Sequence, residues 1–253
     1  MYPYDLIFGL GLYELLAAGG IFCAMVMFRH LSEQRGLSVR LHNFVLADAV
    51  LTVVGGYFSA VFMQACYDFL ADGTFRLNAD TGATFLGGLL GGIFLFLTVY
   101  FAAGHFYFPD GLHRTSFPFI ADLFAVCIPA AHTFGRLGCL MAGCCHGRPA
   151  DWGLYHVNLG IRVIPVQLFE ALFLFGLCAF LWCYTEKHTG CGLPLYLCGY
   201  GIWRFFAEFL RADDRGATLV KFLYPSQLTS VLLIAAGLVI LFIRNRREHN
   251  ETS

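Results

Sequence analysis

Seven apolar stretches, each close to the length needed to cross a bilayer core of roughly 30 Å, recur along this sequence. With 58% hydrophobic residues and only 13% charged residues, the chain has too little polar surface to cover a soluble domain of 253 residues. The sequence therefore predicts an all-α integral membrane protein with about seven transmembrane helices, in which residues 1–253 form a single polytopic domain. The predicted spans are Leu6 to Phe28, Phe44 to Phe69, Thr84 to Phe108, Phe117 to Met141, Pro165 to Tyr184, Leu193 to Leu210 and Ser226 to Ile243.

Basic residues in the short loops predict the orientation of these spans, because such residues accumulate on the cytoplasmic side. The arginines and lysines that follow the first, third, fifth and seventh spans all fall on one side of the membrane. They are Arg29, Arg35, Arg40, Arg114, Lys187, Arg244, Arg246 and Arg247. We therefore expect the N-terminus outside and the C-terminus in the cytoplasm. The net charge of -1 provides no basic surface for nucleic acid, which is excluded as a partner.

Unusual residues from four of the spans are predicted to reach one level, in the outer half of the membrane. Their depths follow from the orientation and from the rise of about 1.5 Å per helical residue. These residues are Gly87 and Gly88 in the third span, Arg136 in the fourth, Gln167 and Glu170 in the fifth, and Tyr200, Arg204, Glu208 and Arg211 in the sixth. Their convergence predicts a functional site toward the outer face.

Three of these residues are arginines, Arg136, Arg204 and Arg211, and a charge at bilayer depth costs about 2.5 to 3.5 kcal/mol on insertion scales. Tyr200, Arg204 and Glu208 are spaced by four residues, so they share one helical face, and Arg211 follows at a spacing of three. Arg204 and Glu208 could form a purely structural ion pair, whereas Arg136 has no obvious acid of its own. Arg136 and Arg204 are two buried cations that nearby acids do not obviously neutralise, and this favours an anionic ligand. A guanidinium group recognises phosphate through paired hydrogen bonds.

Glycines of the third span form two small-xxx-small pairs, Gly87 with Gly91 and Gly88 with Gly92. Close helix packing is the favoured interpretation of this spacing. A smooth glycine face could also admit a lipid chain or headgroup, so both functions stay open for Gly87 and Gly88.

A cluster of thiols and one imidazole follows the fourth span at Cys139, Cys144, Cys145 and His146. The C-x4-C-C-H spacing is not a standard zinc pattern, and the adjacent Cys144 and Cys145 are awkwardly placed to chelate one ion, so no metal site is predicted. A structural or redox role of the thiols is favoured, and substrate contact is the alternative. Six of the other cysteines lie in apolar segments and are expected to pack as small hydrophobic residues.

The chain resembles the bacterial prolipoprotein diacylglyceryl transferases, seven-span enzymes of the cytoplasmic membrane, over nearly its full length. Five pieces carry the resemblance, each weak alone but specific in this order. They are GATFLGGLLGG from Gly82, GRLGCLMAGCCHG from Gly135, RVIPVQLFEA from Arg162, YGIWRFFAEFLR from Tyr200 and YPSQLTS from Tyr224.

This resemblance implies an enzyme that moves the diacylglyceryl group of phosphatidylglycerol to the lipobox cysteine in the signal peptide of a preprolipoprotein. The products are a thioether and glycerol phosphate, and neither a metal nor another cofactor is implied. The implied location is the bacterial cytoplasmic membrane, with membrane lipid as a further partner and the site toward the outer face.

Residues of this chain match the functional motifs of the family one by one. Arg136 matches the arginine of a Gly-Arg-x-Gly motif, and Arg136 and Arg204 would hold the phosphate as the carbon–oxygen bond breaks. The implied catalytic residues are Arg136, Arg204, Tyr200 and Glu208. The implied substrate-binding residues are Arg136, Arg204, Arg211, Gln167, Glu170, Gly87 and Gly88.

Two motifs depart from the family pattern. Leu86 occupies the place of a histidine that usually follows Phe in the third-span glycine motif. Cys139, Ala142 and Cys144 replace the asparagines and the acid that usually follow Gly-Arg-x-Gly. If the chain is a transferase, another residue would assist the acceptor thiol, and the candidates are His132, His146, Tyr200 and Glu208. Two alternative functions accompany the transferase prediction: a membrane thiol-redox or metal-binding protein, and a phospholipid-binding paralogue without catalysis.

Overall fold

The computed structural model describes residues 5–7, 10–78, 81–212 and 224–252. Helices dominate the described part of the chain, and the order of the elements follows the predicted spans. The helices are α1 (Leu12–Gln34), α2 (Val39–Asp72), α3 (Phe85–Tyr107), α4 (Leu112–Thr115), α5 (Phe117–Ala142), α6 (Val166–Thr185), α7 (Gly192–Ala207) and α8 (Pro225–Thr252). The strands are β1 (Asp5–Ile7), β2 (Leu10–Gly11), β3 (Pro149–His156) and β4 (Ile161–Val163).

Six helices in the described ranges are long and apolar enough to cross a membrane. They are α1, α2, α5, α6, residues Leu86–Tyr107 of α3 and residues Pro225–Arg246 of α8. The all-α membrane class is therefore confirmed. The predicted sixth span corresponds to α7, which has 16 residues and continues into a 3₁₀ turn at Glu208–Leu210. The count of seven spans and the orientation of the termini stay predictions.

The predicted start of the first span at Leu6 is wrong, because the chain forms the β1–β2 hairpin there and α1 begins only at Leu12. A local hydrogen bond explains this start. The backbone N–H of Gly11 donates to the Glu14 carboxylate at 2.9 Å. This is one of the two hydrogen bonds of a capping box, the one from the N-cap backbone to the side chain three residues later.

The chain divides into two compact units. One comprises Met1–Leu31 together with Pro118–Ser253, and the other comprises Ser32–Phe117. The prediction of a single domain over residues 1–253 stays a prediction.

In the larger unit, α7 packs against α6 and α8. Small residues permit the close approach of α7 and α8, since a Cβ atom on Gly201 would lie 3.0 Å from the Ser230 carbonyl oxygen. Asp122 of α5 orders the connection between α6 and α7 by accepting the backbone N–H groups of Gly190 and Gly192, the latter at 2.6 Å. These contacts hold the helices that carry the polar residues.

The segment between α5 and α6 forms an antiparallel hairpin of β3 and β4. The backbone N–H of Gly147 donates to Ile164 at 2.9 Å, and the N–H of Ile164 donates to Arg148 at 3.0 Å. The N–H of Arg148 donates to the carbonyl of Leu210 at 3.0 Å, and Gly147 forms a β-bridge with Arg211. The end of α7 and the hairpin are therefore joined through backbone hydrogen bonds.

In the smaller unit, α2 and α3 pack closely through glycines. The Ser59 hydroxyl donates to the carbonyl of Gly87 at 2.9 Å. A Cβ atom on Gly87 would lie 2.5 Å from the Cβ of Met63, and one on Gly91 would lie 2.0 Å from the Ser59 hydroxyl oxygen. Glycine at these positions lets the two helices approach to backbone contact.

Candidate functional site

Three helices bring an arginine, a glutamate and a tyrosine together inside the larger unit. The Nε atom of Arg136 in α5 lies 3.0 Å from the Oε2 atom of Glu170 in α6. The hydroxyl of Tyr200 in α7 donates to the Oε1 atom of the same carboxylate at 3.0 Å. The side chain of Glu170 is 0% exposed and that of Arg136 is 14% exposed. The two carboxylate oxygens of Glu170 therefore contact different helices, Oε2 through an ion pair and Oε1 through a hydrogen bond.

A second ion pair lies along α7 and the turn that follows it. The Nη2 atom of Arg204 is 2.9 Å from the Oε2 atom of Glu208, and both side chains are buried. This pair was expected from the spacing of four residues and is confirmed. The Nη1 atom of Arg204 is buried and has no hydrogen-bond partner within the described ranges. It is a donor directed into the protein interior that an anionic ligand could satisfy.

The expectation that Arg136 lacks an acid is wrong, because Glu170 is its partner. The two arginines and two glutamates of these pairs balance in charge, so uncompensated charge is not what favours an anion here. The pairs reduce the cost of burial, since each charge has an oppositely charged neighbour. The argument for a phosphate then depends on the arginine N–H groups that the glutamates leave available and on the nearby, buried Arg211.

Gln167 anchors the turn after α5. Its Nε2 atom donates to the carbonyl of Cys144 at 2.6 Å, and the side chain is buried. Its Oε1 atom has no hydrogen-bond partner in the part of the chain that the structure describes. Gln167 therefore lies beside the site as predicted, and its amide nitrogen donates a hydrogen bond to the backbone of the turn that carries the cysteines.

His132, one of the four residues that the sequence offered as an assistant to the acceptor thiol, lies at the site. It precedes Arg136 by one helical turn, and its ring centroid is 5.2 Å from that of Tyr200 in an edge-on arrangement. The spacing of four residues between His132 and Arg136 was the signal in the sequence. A neutral imidazole at this position could accept a proton.

His156 of β3 is a residue that sequence analysis missed. Its Nδ1 atom accepts the backbone N–H of Leu159 at 3.2 Å, so its Nε2 atom carries the proton and donates to the carbonyl of Gly143 at 2.6 Å. The imidazole thus joins the hairpin to the turn that carries the cysteines. Its packing against the ring of His146, with centroids 4.8 Å apart, adds to this connection.

The structure brings together three of the four residues of the predicted thiol cluster, whose role stays a prediction. The sulfur atoms of Cys139, Cys144 and Cys145 lie within 4.8 Å of one another, and His146 does not belong to this group. Instead, the Nδ1 atom of His146 lies 3.0 Å from the carbonyl oxygen of Gly147. The hydrogen bonds from Cys139 and Cys144, together with the guanidinium of Arg211, lower the pKa of Cys145 below its usual value.

Adjacent cysteines share this group because of an unusual backbone conformation. Cys145 has a φ of 60°, in the left-handed region that residues other than glycine rarely adopt. Gly143, with a φ of 75°, allows the turn that precedes it. The expectation that Cys144 and Cys145 are awkwardly placed to face one ion is therefore wrong, because it assumed ordinary backbone geometry.

Gly87 and Gly88 belong to the smaller unit, where they contact α2. A Cβ on Gly88 would lie 3.4 Å from the Cβ of Ala60, which is ordinary packing distance, whereas Gly87 has no room for one. These contacts support the packing interpretation. Their role in substrate binding stays a prediction, as do the catalytic and binding roles of the other predicted residues.

Comparison with known proteins identifies one family. The sequence profile described as prolipoprotein diacylglyceryl transferase matches residues 5–243. Phosphatidylglycerol–prolipoprotein diacylglyceryl transferase 2 of Clostridium perfringens is 28% identical over 261 residues, which cover 97% of this chain and 96% of that protein.

Two further relatives carry the name phosphatidylglycerol–prolipoprotein diacylglyceryl transferase. The protein from Clostridium tetani is 28% identical over 256 residues, covering 96% of this chain and 97% of that protein. The protein from Rhodospirillum rubrum is 31% identical over 207 residues, covering 77% of this chain and 72% of that protein. The similarity therefore spans both units of the chain.

Proposed function

We propose that this chain, which belongs to the prolipoprotein diacylglyceryl transferase family, moves a diacylglyceryl group from phosphatidylglycerol to the lipobox cysteine of a preprolipoprotein signal peptide. The family makes the protein a transferase that works in membranes. The names of the relatives supply the donor lipid and the class of acceptor. The proposed setting is the outer half of the bacterial cytoplasmic membrane.

The observation that carries this proposal is the pair of buried arginines, each held by a glutamate. Arg136 is oriented by Glu170, and Arg204 is oriented by Glu208. Each glutamate contacts one nitrogen of its guanidinium group and leaves other N–H donors for a ligand. The buried Nη1 of Arg204 is one of these donors. The oxygens of a phosphodiester can accept hydrogen bonds from these donors. Such charge-assisted hydrogen bonds are stronger in the protein interior, where the dielectric constant is low.

The proposed reaction is a substitution at carbon. The acceptor thiol gives up its proton, and its sulfur attacks the glycerol carbon that carries the phosphate. The carbon–oxygen bond breaks with its electron pair remaining on the phosphate oxygen, so glycerol phosphate leaves and a thioether forms. Negative charge grows on the phosphate during this step, and Arg136 and Arg204 would stabilise it.

We assign the proton acceptor to His132. The carboxylates of Glu170 and Glu208 are already engaged by Arg136 and Arg204 in ion pairs. A neutral imidazole has one ring nitrogen without a proton, which can accept the proton of the acceptor thiol. His132 adjoins Tyr200, which in turn bonds Glu170, so it has a position next to the arginine pair.

The direct test uses purified protein, phosphatidylglycerol in detergent micelles and a synthetic lipobox peptide, with the mass of the peptide as the readout. We expect the peptide to gain one diacylglyceryl group. Arg136→Ala and Arg204→Ala should each reduce the rate at least about a hundredfold, as removal of a single charge-stabilising donor does elsewhere. Arg76→Ala, which removes an exposed arginine, is the matched control and should keep full activity.

Two outcomes would contradict the proposal. Binding of phosphatidylglycerol without any transfer to the peptide would identify a phospholipid-binding paralogue without catalysis. Full activity of Arg136→Ala would show that the arginine pair is not needed for transfer.

A further inference from the structure

The three clustered cysteines form a group that the proposed transfer reaction does not use. Their sulfur atoms lie within 4.8 Å of one another. The sulfurs come from the end of α5 and from the turn that follows it. The backbone N–H of Cys144 donates to the carbonyl of Cys139 at 3.2 Å, which closes the segment between them.

The spacing of the sulfurs suits coordination of a single ion. A metal–thiolate bond is about 2.3 Å long, so three thiolates around one ion lie about 4 Å apart. Sulfurs that are already within 4.8 Å reach this spacing through small side-chain rotations. The left-handed backbone of Cys145 is the feature that turns two adjacent side chains toward one point.

We propose that Cys139, Cys144 and Cys145 form a binding site for one soft, thiophilic cation, Cu(I). Thiolate sulfur is a soft ligand that selects Cu(I), zinc and iron–sulfur clusters over hard cations. Structural zinc almost always takes four protein ligands, and no fourth His, Cys, Asp or Glu joins this group within the described residues. Three thiolates therefore match Cu(I) better than structural zinc.

The surroundings hold the three ligands in place. Gln167 donates to the carbonyl of Cys144, and His156 donates to the carbonyl of Gly143, so the turn is held from two sides. The Arg211 guanidinium lies close enough to hydrogen-bond the sulfur of Cys145. Its positive charge would offset part of the charge of a copper–thiolate centre, which carries two negative charges when all three thiols are deprotonated.

Copper binding is measured on full-length protein in detergent, reduced and kept without oxygen. Cu(I) is supplied as its complex with a coloured chelator, and transfer to the protein is followed by loss of the chelate colour. We expect one equivalent of Cu(I) per chain, bound with the release of protons from the thiols. X-ray absorption of the loaded protein should show three sulfur neighbours.

Single serine variants test the ligands. Cys139→Ser, Cys144→Ser and Cys145→Ser should each weaken Cu(I) binding by at least about tenfold, since even outer-shell changes cost 10- to 100-fold. Cys183→Ser removes an exposed thiol outside the cluster and should bind copper like the wild type. The thermal unfolding midpoint of each variant without copper shows whether it is folded.

Three results would overturn the proposal. Equal copper binding by the wild type and the cluster variants would place the metal elsewhere. A disulfide among the three cysteines in the protein as isolated, found by counting free thiols and by peptide mapping, would assign the cluster to redox chemistry. Tighter retention of Zn²⁺ than of Cu(I) in parallel titrations would contradict the choice of cation. None of these results depends on diacylglyceryl transfer, so this inference and the proposed function can fail separately.

Discussion

The Nε atom of Arg136 in α5 lies 3.0 Å from the Oε2 atom of Glu170 in α6, and this contact ties two helices together through buried charge. The same carboxylate accepts the hydroxyl of Tyr200 from α7. One glutamate thus organises three helices. Because removing one partner of a buried pair leaves an uncompensated buried charge, the contact has consequences for both stability and ligand binding.

Replacing Glu170 by Gln should destabilise the protein by about 3 to 5 kcal/mol, because it leaves the Arg136 guanidinium buried without its counter-charge. The measurement is the free energy of unfolding in mixed detergent micelles. Glu186→Gln changes an exposed glutamate just after α6 and should stay within about 0.5 kcal/mol of the wild type. Equal stability of both variants would show that the Arg136–Glu170 pair contributes nothing to folding.

Replacing His132 by Gln should lower kcat by about 100- to 10,000-fold with little change in KM, since a general base acts on the chemical step. The peptide transfer assay measures both constants. His188→Gln, at an exposed histidine packed on Tyr184, should leave both unchanged. Undiminished kcat in His132→Gln would assign the proton transfer to another group.

Replacing Leu86 by His introduces the residue that is usual at this position in the diacylglyceryl transferase family. We expect the wild-type chain to rescue a strain depleted of its own diacylglyceryl transferase and Leu86→His to rescue it as well, because Leu86 is 42% exposed and the change requires no repacking. Arg136→Ala should not rescue. Leu90→His, one turn further along α3, is the matched control for an added imidazole on an exposed position.

Rescue by Leu86→His alone would have a different meaning. The scaffold would then be competent for transfer, while the natural chain would perform another function. Copper binding by Cys139, Cys144 and Cys145 would become the first activity to examine in that case.

Replacing Gly87 by Ala should cost about 1 to 3 kcal/mol through overpacking, because the new Cβ would meet Met63 at 2.5 Å. Gly92→Ala is the matched control on the same helix, since its Cβ would meet only Thr52 at 3.7 Å, an ordinary contact. Unfolding free energies of both variants decide the comparison. If Gly87→Ala instead keeps its stability and raises KM for phosphatidylglycerol, the glycine contacts lipid rather than α2.

The protein should lose stability as the pH falls below about 6.5, the usual pKa of histidine. Burial and the neighbouring Arg114 and His105 lower the pKa of His113 in α4, against an opposing effect of Asp110. The unfolded chain therefore binds a proton at a higher pH than the folded chain, and that difference favours unfolding. Above pH 6.5 both states are neutral at this residue, and its contribution is fully present.

Thermal unfolding midpoints at pH 7.5 and pH 5.5 measure this effect. His113→Leu should show a smaller difference between the two midpoints than the wild type. His188→Leu, at an exposed histidine, should keep the wild-type difference. Identical differences in all three proteins would exclude His113 as the source of the acid sensitivity.

Hydropathy was sufficient to predict most of the helices, because apolar segments of membrane length have few alternatives to helix formation in lipid. It failed at the start of α1. The apolar stretch begins at Leu6, but the helix begins six residues later, where Gly11 donates a hydrogen bond to Glu14. Hydropathy does not register such a bond, since it depends on the direction of a single side chain.

Within the site, the sequence predicted pairs along one helix and missed the pair between helices. Arg204 and Glu208 are one turn apart, so any helix through them brings them together. Arg136 and Glu170 lie on different helices, and their contact depends on how α5 and α6 pack. The sequence therefore indicated that both residues belong to one site without indicating that they neutralise each other.

The amino-acid sequence by itself determined the membrane class, the succession of apolar helices and the choice of polar residues that reach the site, because these follow from local composition and helical spacing. Only the tertiary structure decided the partner of Arg136 and the meeting of Cys139, Cys144 and Cys145. Both depend on backbone geometry that is set by packing: the approach of α5 to α6 for the ion pair, and the left-handed turn at Cys145 for the thiols.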